Sequence, residues 1–275
     1  MVTQEQRRRQ LAREKFLRQQ QRRTSARRRA RMRNAAIASV LGVILIGSVA
    51  LYTTGVVLGD DDDGKTNASA EVTPSASASS KAPDPCDKPA EGKVKTQTWK
   101  KEPAMTIDKS AKYTMKLATT CGDIDIALKT SAAPHTVNSF NFLAGKGFFD
   151  HTPCHRLTTN GIYVLQCGDP TGQGNGGPGY NIPDENLKDK SLKENMYPAG
   201  TVAMANTSQP NTGGSQFFLV YQNSPLPPSY TPFGTISDEG MAVLKKIAAA
   251  GESTGAGDGA PNATVVIDKA TVTKS

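Results

Sequence analysis

His151-Thr-Pro-Cys154-His155 brings two imidazoles and a thiol within five residues, and these are the side chains that bind zinc. A closed zinc site needs four ligands. Only three stand close together here, so no metal is expected. Gly172-Gln-Gly174-Asn-Gly-Gly177 fits the G-x-G-x-x-G spacing that cradles a dinucleotide pyrophosphate. Pro178-Gly179 follows, so the run does not open a helix and reads as a flexible loop. No Ser, His and Asp fall into a hydrolase context. Arg156, taken alone, reads as half of a surface salt bridge. Phe217-Phe218 reads as plain strand, in which alternation turns one ring inward and the other outward.

The elements that must carry these residues lie in the last 170 positions or so. Tyr113-Thr-Met-Lys-Leu117 alternates, and so does Gly122-Asp-Ile-Asp-Ile-Ala-Leu128. A Thr-Thr-Cys-Gly turn between them predicts a β-hairpin. Pro134 opens an amphipathic stretch with Val137, Phe140, Leu143 and Ala144 at helical spacing, and Gly145 follows. Short strands are expected at 200–205, 215–221 and 233–236. A second helix is expected over 238–250, with Met241, Leu244 and Ile247-Ala248 on one face and Gly251 as its stop. A last strand is expected at 263–267. Many short strands with two helices suggest a mainly β fold, a closed antiparallel barrel with helices over its open ends.

Five blocks stand in order through this region. They are His155-Arg156-Leu157, Gln166-Cys-Gly-Asp169, Met204-Ala-Asn206, Asn211-Thr-Gly-Gly-Ser-Gln216-Phe-Phe218 and Phe233-Gly234. Their order resembles the signature of cyclophilin-type peptidyl-prolyl cis-trans isomerases, in a membrane-anchored bacterial-like form. The resemblance covers about 110–270 and leaves the N-terminal third uncovered. It implies an eight-stranded antiparallel barrel capped by two helices, acting on X-Pro bonds of polypeptides without a cofactor. Rotation about a peptide bond costs about 18–20 kcal/mol, because resonance must be broken. A cation or donor aimed at the amide nitrogen stabilises only the twisted state, and so lowers the barrier.

By position, Arg156 resembles the family's catalytic arginine. Gln166 and Asn206 resemble the residues that hydrogen-bond the substrate backbone, and Gln216 the one that supports the arginine. Phe218 resembles the wall of the proline pocket, with Tyr163, Val164 and Leu226 at its other apolar positions. Ala205 lies on the groove floor. Tyr230 stands where the family has a histidine, and Pro225 where it often has a tryptophan. The missing tryptophan removes a common contact for cyclosporin, so weak sensitivity to that drug is expected.

Charge is split along the chain. Residues 1–34 hold 13 Lys/Arg against 2 Asp/Glu, while the other 241 residues hold 20 basic and 23 acidic side chains. The folded part is therefore no polyanion binder. Residues 35–58 carry no charge. As a helix they would span about 36 Å, enough for a hydrocarbon core of about 30 Å. Arginines precede this run and Asp60–Asp63 follow it. The positive-inside rule then predicts a single transmembrane helix, with 1–34 as a cytoplasmic arm against anionic lipid and everything after it outside. No nucleic acid is expected as a partner. The competing reading is a signal peptide cut after Ser48-Val49-Ala50. Residues 59–103, rich in Asp, Ser, Ala and Pro, read as a disordered extracytoplasmic linker. Trp99 and Met105 are the residues near its end that could pack on a domain at 104–275. The domain is expected to be a monomer.

All four cysteines fall outside the membrane in this topology, where disulfides are permitted. With Asn160-Gly161 as a two-residue turn, counting outward sets Cys154 opposite Cys167. Cys86 is then left to tie the linker to Cys121. The same register pairs Arg156 with Leu165, whereas the resemblance places Arg156 near Gln166. The disagreement is one residue, which a bulge or a longer loop would absorb.

Overall fold

The computed structural model describes residues 83–275. The basic arm, the apolar run 35–58 and the linker up to residue 82 lie outside the described residues. Among the described residues, no helix is long and apolar enough to cross a membrane.

The predicted hairpin forms. Strand β1 (Tyr113–Thr119) pairs antiparallel with β2 (Gly122–Leu128) from Tyr113↔Leu128 to Thr119↔Gly122. Met115, Leu117, Ile124 and Ile126 are buried on one face. On the other, Lys116 reaches Asp123 at 3.0 Å. Helix α1 (Pro134–Gly145) starts with proline, whose missing N–H would have had no partner in a first turn. Ala133 supplies no side-chain cap there. The free N–H groups of His135 and Thr136 instead donate to Glu185 Oε1 and Oε2, at 3.0 and 2.9 Å.

Five strands and stubs follow in chain order: β3 (Thr152–Pro153), β4 (Arg156–Thr158), β5 (Val164–Cys167), β6 (Met196–Tyr197) and β7 (Thr201–Met204). Then come β8 (Phe217–Val220), β9 (Ser224–Pro225) and β10 (Pro232–Ile236). Helix α2 (Asp238–Ala249) begins at Ser237, whose Oγ accepts from Gly240 N, and buries Leu244 and Ile247. The stub β11 (Asp258–Gly259) and strand β12 (Val266–Lys274) complete the chain. The closing strand runs further than the expected 263–267, because β12 pairs with all of β1, as far as Tyr113↔Lys274. Ala263 and Val265 are buried ahead of it.

One antiparallel sheet runs β11-β4-β5-β8-β7-β10-β2-β1-β12-β3, and β6 pairs with β9 apart from it. The count is ten, not the expected eight. The two extra members are the two-residue stubs at the ends, where the ladder continues past the eight main strands. No pairing joins β3 to β11 among the described residues. The sheet is thus a curled ladder around the larger core. Phe140 of α1 packs there against Phe149, Phe217 and Phe233, at centroid distances of 5.2, 5.5 and 4.6 Å. A smaller apolar cluster, including Val164, Tyr197, Ala203, Phe218 and Val220, forms separately.

The boundary expected at residue 103 moves toward the N-terminus. Cys86 is bonded to Cys121, and Asp87 N donates to Thr120 O. Ala90 N donates to Asp268 Oδ1, and Trp99 N to Pro178 O. The Trp99 ring stands 5.1 Å from that of Phe142. The segment lacks apolar periodicity, but it has one disulfide and one indole, and these are enough to lay it along the domain.

Candidate active site

Arg156, Gln166, Phe218 and Ala203 are successive cross-strand partners on β4, β5, β8 and β7. The next row is Leu157, Leu165, Leu219 and Val202. All four of these are buried at 0–1% exposure in the larger core. Side chains alternate across a strand, so the first row is turned the other way, toward the smaller cluster. The outward ring of the Phe217-Phe218 pair is therefore Phe218.

The register meets both demands that the sequence set against each other. Arg156 stands opposite Gln166, and Cys154 is bonded to Cys167. Two residues separate these points on one strand and only one on the other, which leaves His155 as the extra residue. The expected two-residue turn is replaced by a longer loop over 159–163, closed by Val164 N donating to Thr158 Oγ1 at 3.0 Å. Cys154 is spent in the disulfide, so the run 151–155 has no thiolate for a metal. Burial holds the His155 imidazole below its usual pKa, against the pull of Asp169 and helped by the charge of Arg156. Neither of its ring nitrogens has a hydrogen-bond partner among the described residues.

A chain of polar contacts crosses the row. Arg156 Nε donates to Asp258 Oδ1 at 2.7 Å and Nη2 to Oδ2 at 2.8 Å. Its Nη1 donates to Gln166 Oε1 at 3.2 Å. Gln166 Nε2 donates to Gln216 Oε1 at 2.8 Å, and Gln216 Nε2 to Gly176 O at 2.9 Å. Gln216 thus reaches the arginine through Gln166. The Asp258 carboxylate raises the arginine's pKa further, and partial burial opposes it.

Beside this chain lies a cavity of about 110 Å³, lined by Arg156, Ile162, Val164, Gln166, Ala205, Asn206, Phe218, Leu226 and Tyr230. Tyr197, in the same smaller cluster as Phe218, is fully buried. Its hydroxyl donates to Tyr230 O at 2.7 Å and accepts from Tyr230 N at 3.1 Å. Burial pushes this phenol up to about 12. The rings of Tyr197 and Tyr230 stand 6.2 and 5.5 Å from that of Phe218. Asn206 lines the cavity with its side chain engaged, donating to Ser229 O and accepting from Ser208 N.

Of the residues expected at the site, Tyr163 is placed elsewhere. Its ring packs at 5.9 Å against Tyr221, and its N–H donates to Ser224 Oγ. The reason is parity: 162, 164 and 166 share one face, so Ile162 takes the wall position. Counting back by twos from Gln166 would have found it. Asp258 carried no such signal, standing 102 residues from Arg156.

A second cavity, of about 280 Å³, adjoins the first through Gln166, Ala205 and Asn206 and is bordered by Gly174–Gly177. The glycine loop expected to be flexible is pinned by one carboxylate. Asp169 accepts from the N–H groups of Thr171, Gln173, Gly174 and Asn175. Burial would raise its pKa, but hydrogen bonds from Thr171 and from the N–H groups of Gly176 and Gly174 bring it below the usual carboxylate value.

Chemically, the arrangement offers an always-charged planar donor at the rim of an apolar slot, braced by two amides. Among the described residues that line the slot, no nucleophile is paired with a base. Comparison with known proteins agrees with this chemistry. The family model "Cyclophilin type peptidyl-prolyl cis-trans isomerase/CLD" matches residues 114–272. The probable peptidyl-prolyl cis-trans isomerase B of Mycobacterium leprae is 46% identical over 196 residues, covering 68% of this chain and 62% of that protein. The protein of the same name from Mycobacterium tuberculosis is 44% identical over 195 residues, covering 68% and 59%. The chain thus spans about three-fifths of the length of these curated relatives. A crystal structure of a Cryptosporidium parvum cyclophilin type peptidyl-prolyl cis-trans isomerase superposes with a TM-score of 0.50 at 27% identity, covering 60% of this chain and 99% of that one. With the family match spanning more than half of its length, this chain belongs to the cyclophilin-type peptidyl-prolyl cis-trans isomerase family.

Proposed function

We propose that this protein catalyses cis-trans isomerisation of X-Pro bonds in polypeptides, with Arg156 as the electrostatic catalyst. One observation carries the reading: Arg156 lines the same small cavity as Val164, Phe218, Leu226 and Tyr230. The apolar wall takes the proline ring. Gln166 and Asn206, on the same rim, take the backbone around it. As the amide twists, its nitrogen regains a lone pair, and a guanidinium N–H meets that pair only in the twisted state. Such selectivity lowers the barrier instead of merely tightening binding. The arginine suits the role because it stays charged and is planar.

The test is a peptide isomerisation assay on the full-length chain. Arg156→Ala is expected to lower kcat/KM about a hundredfold, the usual loss for one transition-state donor, with little change in peptide affinity. A wild-type chain that binds proline peptides yet gives no rate would make it a holding module instead.

The same reading extends to place and clients. The uncharged run 35–58 serves as a single membrane anchor, the arginine arm stays on the cytoplasmic side against anionic lipid, and the domain works outside as a monomer. Newly translocated secreted or envelope proteins are then its clients. Two disulfides in a domain of this size support an oxidising compartment. Protease added to intact cells should degrade the domain, and extraction at alkaline pH should leave the chain with the membrane. Cyclosporin should inhibit weakly. Pro225, at the position where the family often has tryptophan, is exposed and outside the cavity lining.

A further inference from the structure

A guanidinium has five N–H groups and can turn about its stem, so a catalytic arginine needs something to aim it. Here the aiming is visible. The Nε and Nη2 edge is closed by both oxygens of Asp258, at 2.7 and 2.8 Å. Nη1 is turned to Gln166 Oε1 at 3.2 Å. A two-point fork fixes the plane of the group as well as its direction. From this geometry we infer that Asp258 is the positioning residue for Arg156, holding the guanidinium plane at the rim of the proline slot. The inference rests on the isomerase reading above.

The fold presents Asp258 for this task. Stub β11 pairs with β4 through Asp258↔Thr158 and Gly259↔Leu157, so the aspartate is set beside the strand that carries the arginine. The loop leading to β11 is itself held. Glu252 Oε2 accepts from Thr254 N and Oγ1, and Oε1 accepts from Gly257 N. Asn262 Nδ2 donates to Ala250 O and Glu252 O from the other side. Gly257 takes a φ of +90°, which favours glycine, and it lies directly ahead of Asp258.

Stability does not account for the pair. Its side chains are 36% and 57% exposed, and ion pairs this open contribute little to folding. A carboxylate at this place also dampens the charge that the reaction uses. A pair that adds little stability and costs some charge is explained by what it does to direction.

The experiment uses the full-length chain with a proline peptide, comparing Asp258→Ala, Asp258→Asn, Arg156→Ala and the double variant Arg156→Ala/Asp258→Ala. Asp258→Ala is expected to lower kcat about tenfold with KM within about twofold, the mark of a misaimed group and not of a damaged pocket. Asp258→Asn keeps an acceptor and should recover most of the rate. Adding Asp258→Ala to Arg156→Ala should change nothing further, because there is no guanidinium left to aim. The Arg156 Nε–H proton resonance should move upfield in Asp258→Ala as its carboxylate partner is lost. If Asp258→Ala keeps the wild-type kcat while Arg156→Ala loses activity, the positioning role is overturned and the isomerase reading stands. Additive losses in the double variant, or a loss not recovered by asparagine, overturn it as well. If Arg156→Ala is as fast as wild type, the isomerase reading fails first and the positioning role falls with it.

Discussion

Gln166 and Gln216 form a single bracket: Gln166 Nε2 donates to Gln216 Oε1 at 2.8 Å while Gln166 Oε1 accepts from Arg156. The bond to Gln216 decides which way the Gln166 amide faces, and hence that an oxygen meets the guanidinium. Gln216→Leu removes this control and leaves a half-buried N–H without its acceptor. The expected cost is about 1 kcal/mol of stability, the low end for an orphaned donor that water can partly reach. The rate should fall about tenfold, since nothing then opposes an amide flip that turns NH2 toward Arg156. Gln216→Glu keeps the acceptor and should stay closer to wild type. Thermal unfolding and the isomerisation assay together check this.

Phe218 is only 5% exposed, yet it belongs to the cavity wall. Its ring forms a triangle with those of Tyr197 and Tyr230, with sides of 6.2, 5.5 and 6.3 Å. Phe218→Ala is expected to destabilise the domain by about 3 kcal/mol, as large-to-small aromatic changes do. It should also raise KM at least tenfold by widening the slot. A denaturant titration gives the first number and peptide kinetics the second. An unchanged KM would mean that the proline ring sits elsewhere.

The Cys154–Cys167 bond closes a loop with a sequence separation of 13. A loop of about 15 residues is worth about 3 kcal/mol in the chain-entropy account. The double variant Cys154→Ser/Cys167→Ser should lose about that much. It should also slow catalysis below its melting range, because this bond brackets the step where His155 is absorbed and Arg156 comes opposite Gln166. Cys86→Ser/Cys121→Ser should lose stability but keep its kinetics, since that bond ties down the N-terminal segment. Melting curves and assays of both variants, with and without reductant, decide the contrast.

His155 gives a pH dependence of known sign. Its folded pKa lies below that of the unfolded chain, chiefly through burial. Between the two values the unfolded chain binds more protons, so stability rises with pH across that window and levels off above about 6.5. Acidifying from pH 7 toward 5 should therefore lower the melting temperature, and His155→Gln should blunt the fall. Calorimetry over that range checks it. A melting temperature that climbs on acidification, with His155→Gln removing the climb, would reverse the sign.

Much of the fold is legible because it rests on local periods. The β1–β2 hairpin, the proline-led α1 and the serine-capped α2 each follow from spacing within about a dozen residues. The cysteine pairs are those expected, although the count behind Cys154–Cys167 assumes a two-residue turn and a register that the longer loop and the extra His155 replace. The long β12 and the course of 84–103 do not follow from local spacing, because each depends on what a distant strand or ring leaves open. Trp99 is informative only once Phe142 and Phe148 stand behind it.

At the site the division is similar. The resemblance to the cyclophilin signature marks Arg156, Gln166, Asn206, Gln216 and Phe218 before any coordinates, since the order of those blocks is a property of the chain itself. That Ile162 and not Tyr163 meets the cavity follows from parity with Val164 and Gln166, which the chain itself carries. That Asp258 grips Arg156 depends on a two-residue pairing across about a hundred positions. Sequence alone determines the chemistry available, because side-chain identity and alternation are local. Tertiary structure alone decides where the guanidinium points, because hydrogen-bond direction depends on partners that only folding brings within 3 Å.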